Sequence, residues 1–292
     1  MVRLEALADG IYRIPGGTNI GLICTDDGCY MVDTGLDEGS ARGALKALSS
    51  SGLELKAILN THSHADHIGG NFFIQKHTGA PALAPEDELA FIRDPLLEPM
   101  VLYGGSPPPD MRSKFFLAKP SHVEPLEEAS LPFEVVDLRG HSPGMVGLIS
   151  EGVFFTADAY FSPRTLRKYV IPYTYDPEKA LASLKFLLDL CGQYLFVPSH
   201  GEPSEDPGQE LEANISAIER TREVVLDVLS RGELDTCQLV RAVLAEMDVR
   251  PFSPGHYFLY ASCLKGYLSW LQRDGLIEIC SEGPDLYWRL SA

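Results

Sequence analysis

The chain has no C-x-x-C pair. Its six cysteines, at 24, 29, 191, 237, 263 and 280, are scattered, which argues against a zinc ribbon. It lacks an apolar run long enough to span a bilayer, and its first residues, Met-Val-Arg-Leu-Glu-Ala-Leu-Ala-Asp-Gly, contain no signal-peptide core. A cytoplasmic location with reduced thiols is the expectation that follows. Cys24 and Cys29 flank the turn Thr25–Gly28 and could face each other across a hairpin, but are expected to be free and buried like the others. Positive charge is scarce: 24 Lys and Arg stand against 41 Asp and Glu, a net charge of -17. Such a surface argues against nucleic acid or an anionic membrane as the main partner and suits a small-molecule substrate. No internal repeat or low-complexity tract is present. What remains is an ordinary globular composition, 45% hydrophobic and 22% charged over 292 residues, long enough for a sizeable core and more than one domain.

The densest chemistry lies in Thr61-His62-Ser63-His64-Ala65-Asp66-His67-Ile68-Gly69-Gly70. Lys56–Asn60 before it reads as a short apolar strand, and Asn71–His77 after it as helix. The polar side chains therefore sit on a loop at a strand end, where α/β folds place their sites. His62 and His64, two apart, point the same way on extended backbone. Asp66 and His67 are adjacent and diverge. The loop reads as contributing to two metal positions.

Upstream, residues 10–35 read as strands, with a hairpin about Asp26-Asp27-Gly28 that ends at Asp33-Thr34-Gly35. Asp37 or Ser40 is the better cap for a helix near 38–50. Downstream, residues 94–121 break the regular pattern with six prolines and interleaved aromatics. An irregular segment of that length is expected to act as a lid over an apolar pocket. Phe133–Leu138 reads as a strand running into Arg139-Gly140-His141-Ser142-Pro143-Gly144. Val146–Ile149 and Val153–Thr156 form a hairpin that delivers Ala157-Asp158-Ala159. Leu181, Leu184, Leu187 and Leu188 mark an amphipathic helix, and Tyr194–Pro198 is a strand ending at Ser199-His200-Gly201. His77, His122 and His256 read as structural or surface residues, His256 in a distal loop. Helices over Gln209–Arg231, Leu234–Met247 and Tyr257–Arg273 precede a hairpin at 276–290.

The run H-x-H-x-D-H, followed by His141, Asp158 and His200 each at a strand end, resembles the signature of the metallo-β-lactamase superfamily over roughly residues 10–205. The resemblance implies an α/β (α+β) fold, a four-layer αβ/βα sandwich over residues 1–231 with the lid-like insertion at 94–121. Residues 232–292 are similar to a winged-helix module. Their five basic and eight acidic side chains favour a structural or homodimer-forming appendage over a DNA reader.

Carried over residue by residue, the resemblance implies that His62, His64 and His141 bind one metal. Asp66, His67 and His200 bind the other, and Asp158 with a water or hydroxide bridges them. Asp33 lies beneath and orients the loop. The family often has glycine before the bridging aspartate, where this chain has Ala157. Nitrogen and oxygen ligands without cysteine suit two divalent ions, Zn²⁺ first, with Fe²⁺ and Mn²⁺ as alternatives. Asp66 can also accept a proton. Tyr160 is a candidate hydroxyl donor to an oxyanion, or an aromatic packed under the site. The expected activity is binuclear hydrolysis of a small ester, thioester or lactone. The sequence offers no basic lid feature of the kind a glutathione thioester needs, so glyoxalase II is not singled out. A mononuclear-iron persulfide dioxygenase and a metal-dependent endoribonuclease are the alternatives. A diiron electron carrier is disfavoured, because that branch has Glu where His64 stands.

Overall fold

The structure, a computed structural model, describes residues 3–291. Strands β1 (Glu5–Ala8), β2 (Ile11–Ile14), β3 (Ile20–Thr25) and β4 (Gly28–Val32) pair antiparallel in chain order. Helix α1 (Glu38–Ser50) is capped by Asp37, which accepts from the Gly39 and Ser40 N–H groups. It returns the chain so that β5 (Leu55–Leu59) lies parallel to β4. Helices α2 (Ala65–Ile68) and α3 (Asn71–Thr78), strand β6 (Ala82–Ala84), helices α4 (Leu89–Arg93) and α5 (Leu97–Tyr103) and strand β7 (Glu124–Pro125) complete a seven-stranded sheet in the order β1 to β7. Next come β8 (Glu134–Asp137), β9 (Val146–Ser150), β10 (Val153–Ala157), α6 (Pro163–Tyr169), α7 (Pro177–Asp189) and β11 (Leu195–Pro198), which give a second sheet ordered β11-β10-β9-β8. Helices α8 (Gly208–Ser230), α9 (Thr236–Glu246) and α10 (Pro254–Arg273) and the hairpin β12 (Ile277–Glu282)–β13 (Asp285–Leu290) follow.

The two sheets face each other. Ile23, Tyr30, Val32 and Leu59 of the first pack against Leu148, Phe155 and Val197 of the second in one buried cluster. Alternate residues of the same strands, such as Leu22 and Met31, face outward onto α1 and α3 through Ala44, Leu48, Phe73 and Ile74. Strands buried on both faces read as continuous apolar runs, which is why Ile20–Cys24 shows little polar alternation. On the far side of the second sheet, Phe154 and Phe196 meet Leu184 and Leu187 of α7 and Ile218 and Val225 of α8. This is the αβ/βα sandwich that the sequence implied.

The same far-side cluster continues without a break into Leu239 and Val243 of α9, Leu264, Tyr267 and Leu268 of α10, and Ile277 of β12. The C-terminal region thus shares its core with the second sheet. Among the described residues no helix is long and apolar enough to cross a membrane.

Three expectations need correction. Residues 94–121 are less irregular than their prolines suggest: α5 lies within them, and Leu102, Met111 and Phe116 are buried against Phe258 and Leu259 of α10. Helix α6 was not anticipated. None of its residues is buried, so Pro-Arg-Thr-Leu-Arg-Lys-Tyr has no apolar stripe to read. Cys24 and Cys29 are disulfide-bonded, because they are direct cross-strand partners in the β3–β4 register with Cα atoms 3.9 Å apart. Of the remaining cysteines only Cys263 is buried, and Cys237 is exposed.

Gly140 fixes the loop between β8 and His141. It has φ +134°, and a Cβ there would lie 2.2 Å from the Ala180 backbone N at the start of α7. A backbone neighbour cannot give way, and this φ is hostile to an L side chain. Gly140→Ala is therefore expected to destabilise the protein by at least about 2 kcal/mol, measured by urea unfolding.

Candidate metal centre

Five strand ends converge at one edge of the sandwich. β4 ends at Asp33, β5 at the His62–His67 loop, β8 before His141, β10 at Asp158 and β11 at His200. Two of these turns are held in left-handed backbone: Asp33 at φ 59° and Ala157 at φ 51°. Glycine would sit at the second without strain, which is the physical content of the glycine commonly found before the bridging aspartate. Ala157 accepts the strain and buries its methyl in the far-side core.

Three imidazole nitrogens meet at one point. His64 Nδ1 lies 3.1 Å from His62 Nε2 and 2.9 Å from His141 Nε2. A second group forms beside it. His200 Nε2 is 3.1 Å from Asp66 Oδ2, and His67 Nε2 is 3.8 Å from the same oxygen. Asp158 stands between them: Oδ1 is 3.5 Å from His67 Nε2, while Oδ2 is 3.5 Å from His141 Nε2 and 3.3 Å from His200 Nε2. All seven side chains expected at the site are brought together, in groups each able to hold one ion.

The far nitrogen of four of these rings is committed elsewhere. His67 Nδ1 donates to Asp33 Oδ2 at 2.7 Å. Asp33 also accepts from the Thr61 N–H and the Thr61 hydroxyl, each at 2.8 Å. That hydroxyl, already donating, accepts from His62 Nδ1 at 3.0 Å. His141 Nδ1 donates to the Tyr173 carbonyl and His200 Nδ1 to the Gly17 carbonyl. Each bond orients its ring so that Nε2 points into the site.

Burial and charge then separate the groups. Burial, with the neighbouring histidines, holds His62 well below the ordinary imidazole value. Burial lowers His64 to about 4 and His141 to about 3. All three are neutral at pH 7. At His200 burial acts the same way but is outweighed by Asp158 and Asp66, which raise it to about 12. At His67 burial is likewise outweighed by Asp66, Asp158 and Asp33, which raise it well above the usual range. Burial would raise Asp66 and Asp158, yet the facing His67 and His200 leave both carboxylates lowered.

His67 Nε2 and Asp158 Oδ1 are buried with no hydrogen-bond partner. Packed interiors rarely leave such atoms unsatisfied. A divalent cation between them satisfies both, and the all-nitrogen-and-oxygen donor set fits Zn²⁺, Fe²⁺ or Mn²⁺.

The site floors a cavity of about 660 Å³. Phe161, Ile171, Tyr173, Leu259, Phe115 and Phe116 make an apolar, largely aromatic wall. Glu98 of α5 also faces it, its carboxyl pushed well above the usual range by burial and by Asp66 and Glu88. Arg164 and Lys168 of α6 line the outer part, with His256 of α10. No sequence pattern signalled these cations, since α6 itself was not readable. His256 is not in a distal loop: it opens α10 and lines the cavity, so the C-terminal region contributes to the site.

Tyr160 is corrected. Its side chain turns into the far-side core, 1% exposed, and is absent from the cavity wall. The left-handed turn at Ala157 rotates the strand end so that Asp158 faces the site while Tyr160 faces α8. Tyr173 presents its ring instead, 5.8 Å from His64 and 5.5 Å from His141.

This fold and this site define a metal-dependent hydrolase. Residues 13–200 match the metallo-beta-lactamase superfamily, and the chain belongs to it. A hydroxyacylglutathione hydrolase of Xanthomonas campestris pv. campestris (strain B100) is 27% identical over 229 residues, 76% of this chain and 80% of that protein. Another, from Haemophilus influenzae, is 28% identical over 202 residues, 67% of this chain and 91% of that protein. The crystal structure of a metallo-beta-lactamase family protein from Thermus thermophilus matches with a TM-score of 0.71 at 26% identity, covering 98% of this chain and 100% of that one. A beta-lactamase domain protein from Burkholderia ambifaria shares the fold, with a TM-score of 0.72 at 19% identity over 99% of this chain and 93% of that one.

Asp33→Asn leaves one oxygen to accept but sets an amide N–H₂ against the other donors. Metal affinity is expected to fall about 10–100-fold, measured by chelator competition. Tyr160→Phe removes a buried hydroxyl that, beside Thr156, makes no hydrogen bond of normal geometry. Turnover should stay within about twofold and stability should hold or rise slightly, read by steady-state kinetics and thermal melting.

Proposed function

We propose that this protein is a binuclear metallohydrolase that cleaves a thioester or a related small ester or lactone. His62, His64 and His141 hold one ion. Asp66, His67 and His200 would hold the other, with Asp158 standing between the two groups, in reach of His141, His67 and His200. The observation that carries the reading is the pair of converging donor groups that share Asp158 on the floor of one cavity. Two divalent ions held there would lower the pKa of bound water toward ~7 and polarise an acyl oxygen.

The residues of the chain supply the rest. Thr18 donates to Asp66 Oδ2 at 2.9 Å, which orients that carboxylate toward His200 and His67. The aromatic wall excludes water and takes the apolar body of the substrate. The Tyr173 hydroxyl, protonated at neutral pH in any case and pushed further up by burial, is a hydrogen-bond donor. Arg164 and Lys168, exposed at the outer cavity and free of any carboxylate partner among the described residues, suit a substrate with an anionic part. Relatives that act as hydroxyacylglutathione hydrolases favour the thioester among the candidate bonds.

The test pairs elemental analysis with a panel of thioesters, esters and lactones, neutral and anionic. Two ions per chain, hydrolysis of an anionic thioester and loss of turnover in His64→Ala are expected. Charge reversal in Arg164→Glu/Lys168→Glu should raise KM for the anionic thioester about tenfold or more and leave kcat nearly unchanged. A single iron with O₂ uptake and no hydrolysis overturns the reading.

A further inference from the structure

The segment between β6 and α4 carries a second buried carboxylate that the mechanism above does not use. Glu88 is fully buried, with no Lys or Arg paired to it among the described residues. Its side chain is nevertheless satisfied. Oε2 accepts from the Ser63 N–H at 3.1 Å. Oε1 accepts from the Ser142 hydroxyl at 2.6 Å and from the Gly144 N–H at 2.7 Å.

Those donors belong to two different ligand loops. Ser63 lies between His62 and His64, on the loop that leaves the first sheet. Ser142 follows His141, on the loop that leaves the second. One carboxylate thus holds both loops that supply the three converging imidazoles. The approach is close: a Cβ on Gly144 would lie 2.8 Å from Asp87 Cβ and 3.3 Å from Glu88 Cγ, so the glycine is what lets the second loop reach the carboxylate. Ser63 and Ser142 are buried too, so water does not compete for these bonds. Charge-assisted hydrogen bonds to a buried carboxylate are the strong kind, and losing one leaves an unpaired donor in the interior.

We propose that Glu88 is a positioning residue for the His62, His64 and His141 metal position, clamping the ligand loops of the two sheets in register. This rests on the reading of those histidines as metal ligands. The Asp33 network serves His62 and His67 from below. Glu88 serves the loops of His64 and His141, its one carboxylate accepting from a backbone N–H of each.

Glu88→Gln keeps the shape, and its amide oxygen can still accept from Ser142 and Gly144. Its N–H₂ then meets the Ser63 N–H, donor against donor. The experiment titrates Co²⁺ into metal-free parent and Glu88→Gln protein, follows the visible bands and checks the endpoint by elemental analysis. Thermal melting is recorded with and without metal. The expected result is one affinity reduced about 10–100-fold with the other within about threefold. The gain in Tm on metal loading should shrink more than the Tm of the metal-free protein falls. Glu88→Asp, which keeps the acceptors but shortens their reach, should recover part of the lost affinity. Ser142→Ala, which removes one bond and leaves the carboxylate, is the milder companion if Glu88→Gln does not fold. It should show the same one-site loss at several-fold size.

Two unaltered Co²⁺ affinities in Glu88→Gln, or in Ser142→Ala if that variant is used, overturn the proposal and leave the proposed function standing. A metal-free Tm that falls as far as the loaded one, with both affinities intact, assigns Glu88 a structural role alone and also overturns it. Parent protein that binds no Co²⁺ overturns the reading of the site, and this proposal with it.

Discussion

The site depends on one buried carboxylate accepting three hydrogen bonds. Asp33 takes the Thr61 N–H, the Thr61 hydroxyl and His67 Nδ1. Through Thr61 it also sets the ring of His62. It therefore decides which nitrogen of two separate histidines faces the site, and it does so from a backbone conformation that an aspartate adopts only at some cost. The surrounding structure compensates: Asp33 N–H bonds to the Leu59 carbonyl, and Thr34 N–H to the His67 carbonyl. A strained residue held on all sides is characteristic of a functional turn.

Around that point the molecule keeps two electrostatic environments within a few ångströms. The His62, His64 and His141 side is all imidazole, deeply buried and neutral. On the Asp66, His67 and His200 side, carboxylates face histidines and each stabilises the charged form of the other. The second arrangement satisfies itself partly without metal, through ion pairs that an ion would replace. The first has only lone pairs directed at one another, an arrangement with little to hold it except a cation or rigid loops. The Asp33 network and the Glu88 bonds supply that rigidity from the two sheets.

The cavity above the histidine and aspartate cluster is assembled from parts far apart in the chain. Helix α5 gives Glu98, α6 gives Arg164 and Lys168, the segment after it gives Tyr173, and α10 gives His256 and Leu259. Because α10 shares its core with α7 and α8, the C-terminal region is part of the cavity wall. A change of side chain on α5, α6 or α10 can therefore retune the substrate while the ligands stay as they are, which is how one set of ligands can serve several chemistries.

The strand ends and the residues that meet there were legible in the chain, and the sandwich came from the family resemblance that those residues carry. These signals are local: apolar runs mark strands buried on both faces, glycines mark tight turns, and a ligand follows each strand within a few residues. Local chemistry also narrowed the helix cap to Asp37 or Ser40, since a cap acts within one turn, and Asp37 is the one used. Packing in three dimensions settled that Cys24 and Cys29 bond, that Tyr160 packs into the core while Tyr173 faces the histidine cluster, and that Glu88 joins two loops. The same holds for α6, whose exposed residues carry no periodicity, and for the cavity wall. The disulfide joins cysteines five positions apart in one hairpin, where strand register decides it; the others depend on packing between residues tens to nearly two hundred positions apart, for which no local pattern in the chain is a sufficient cause.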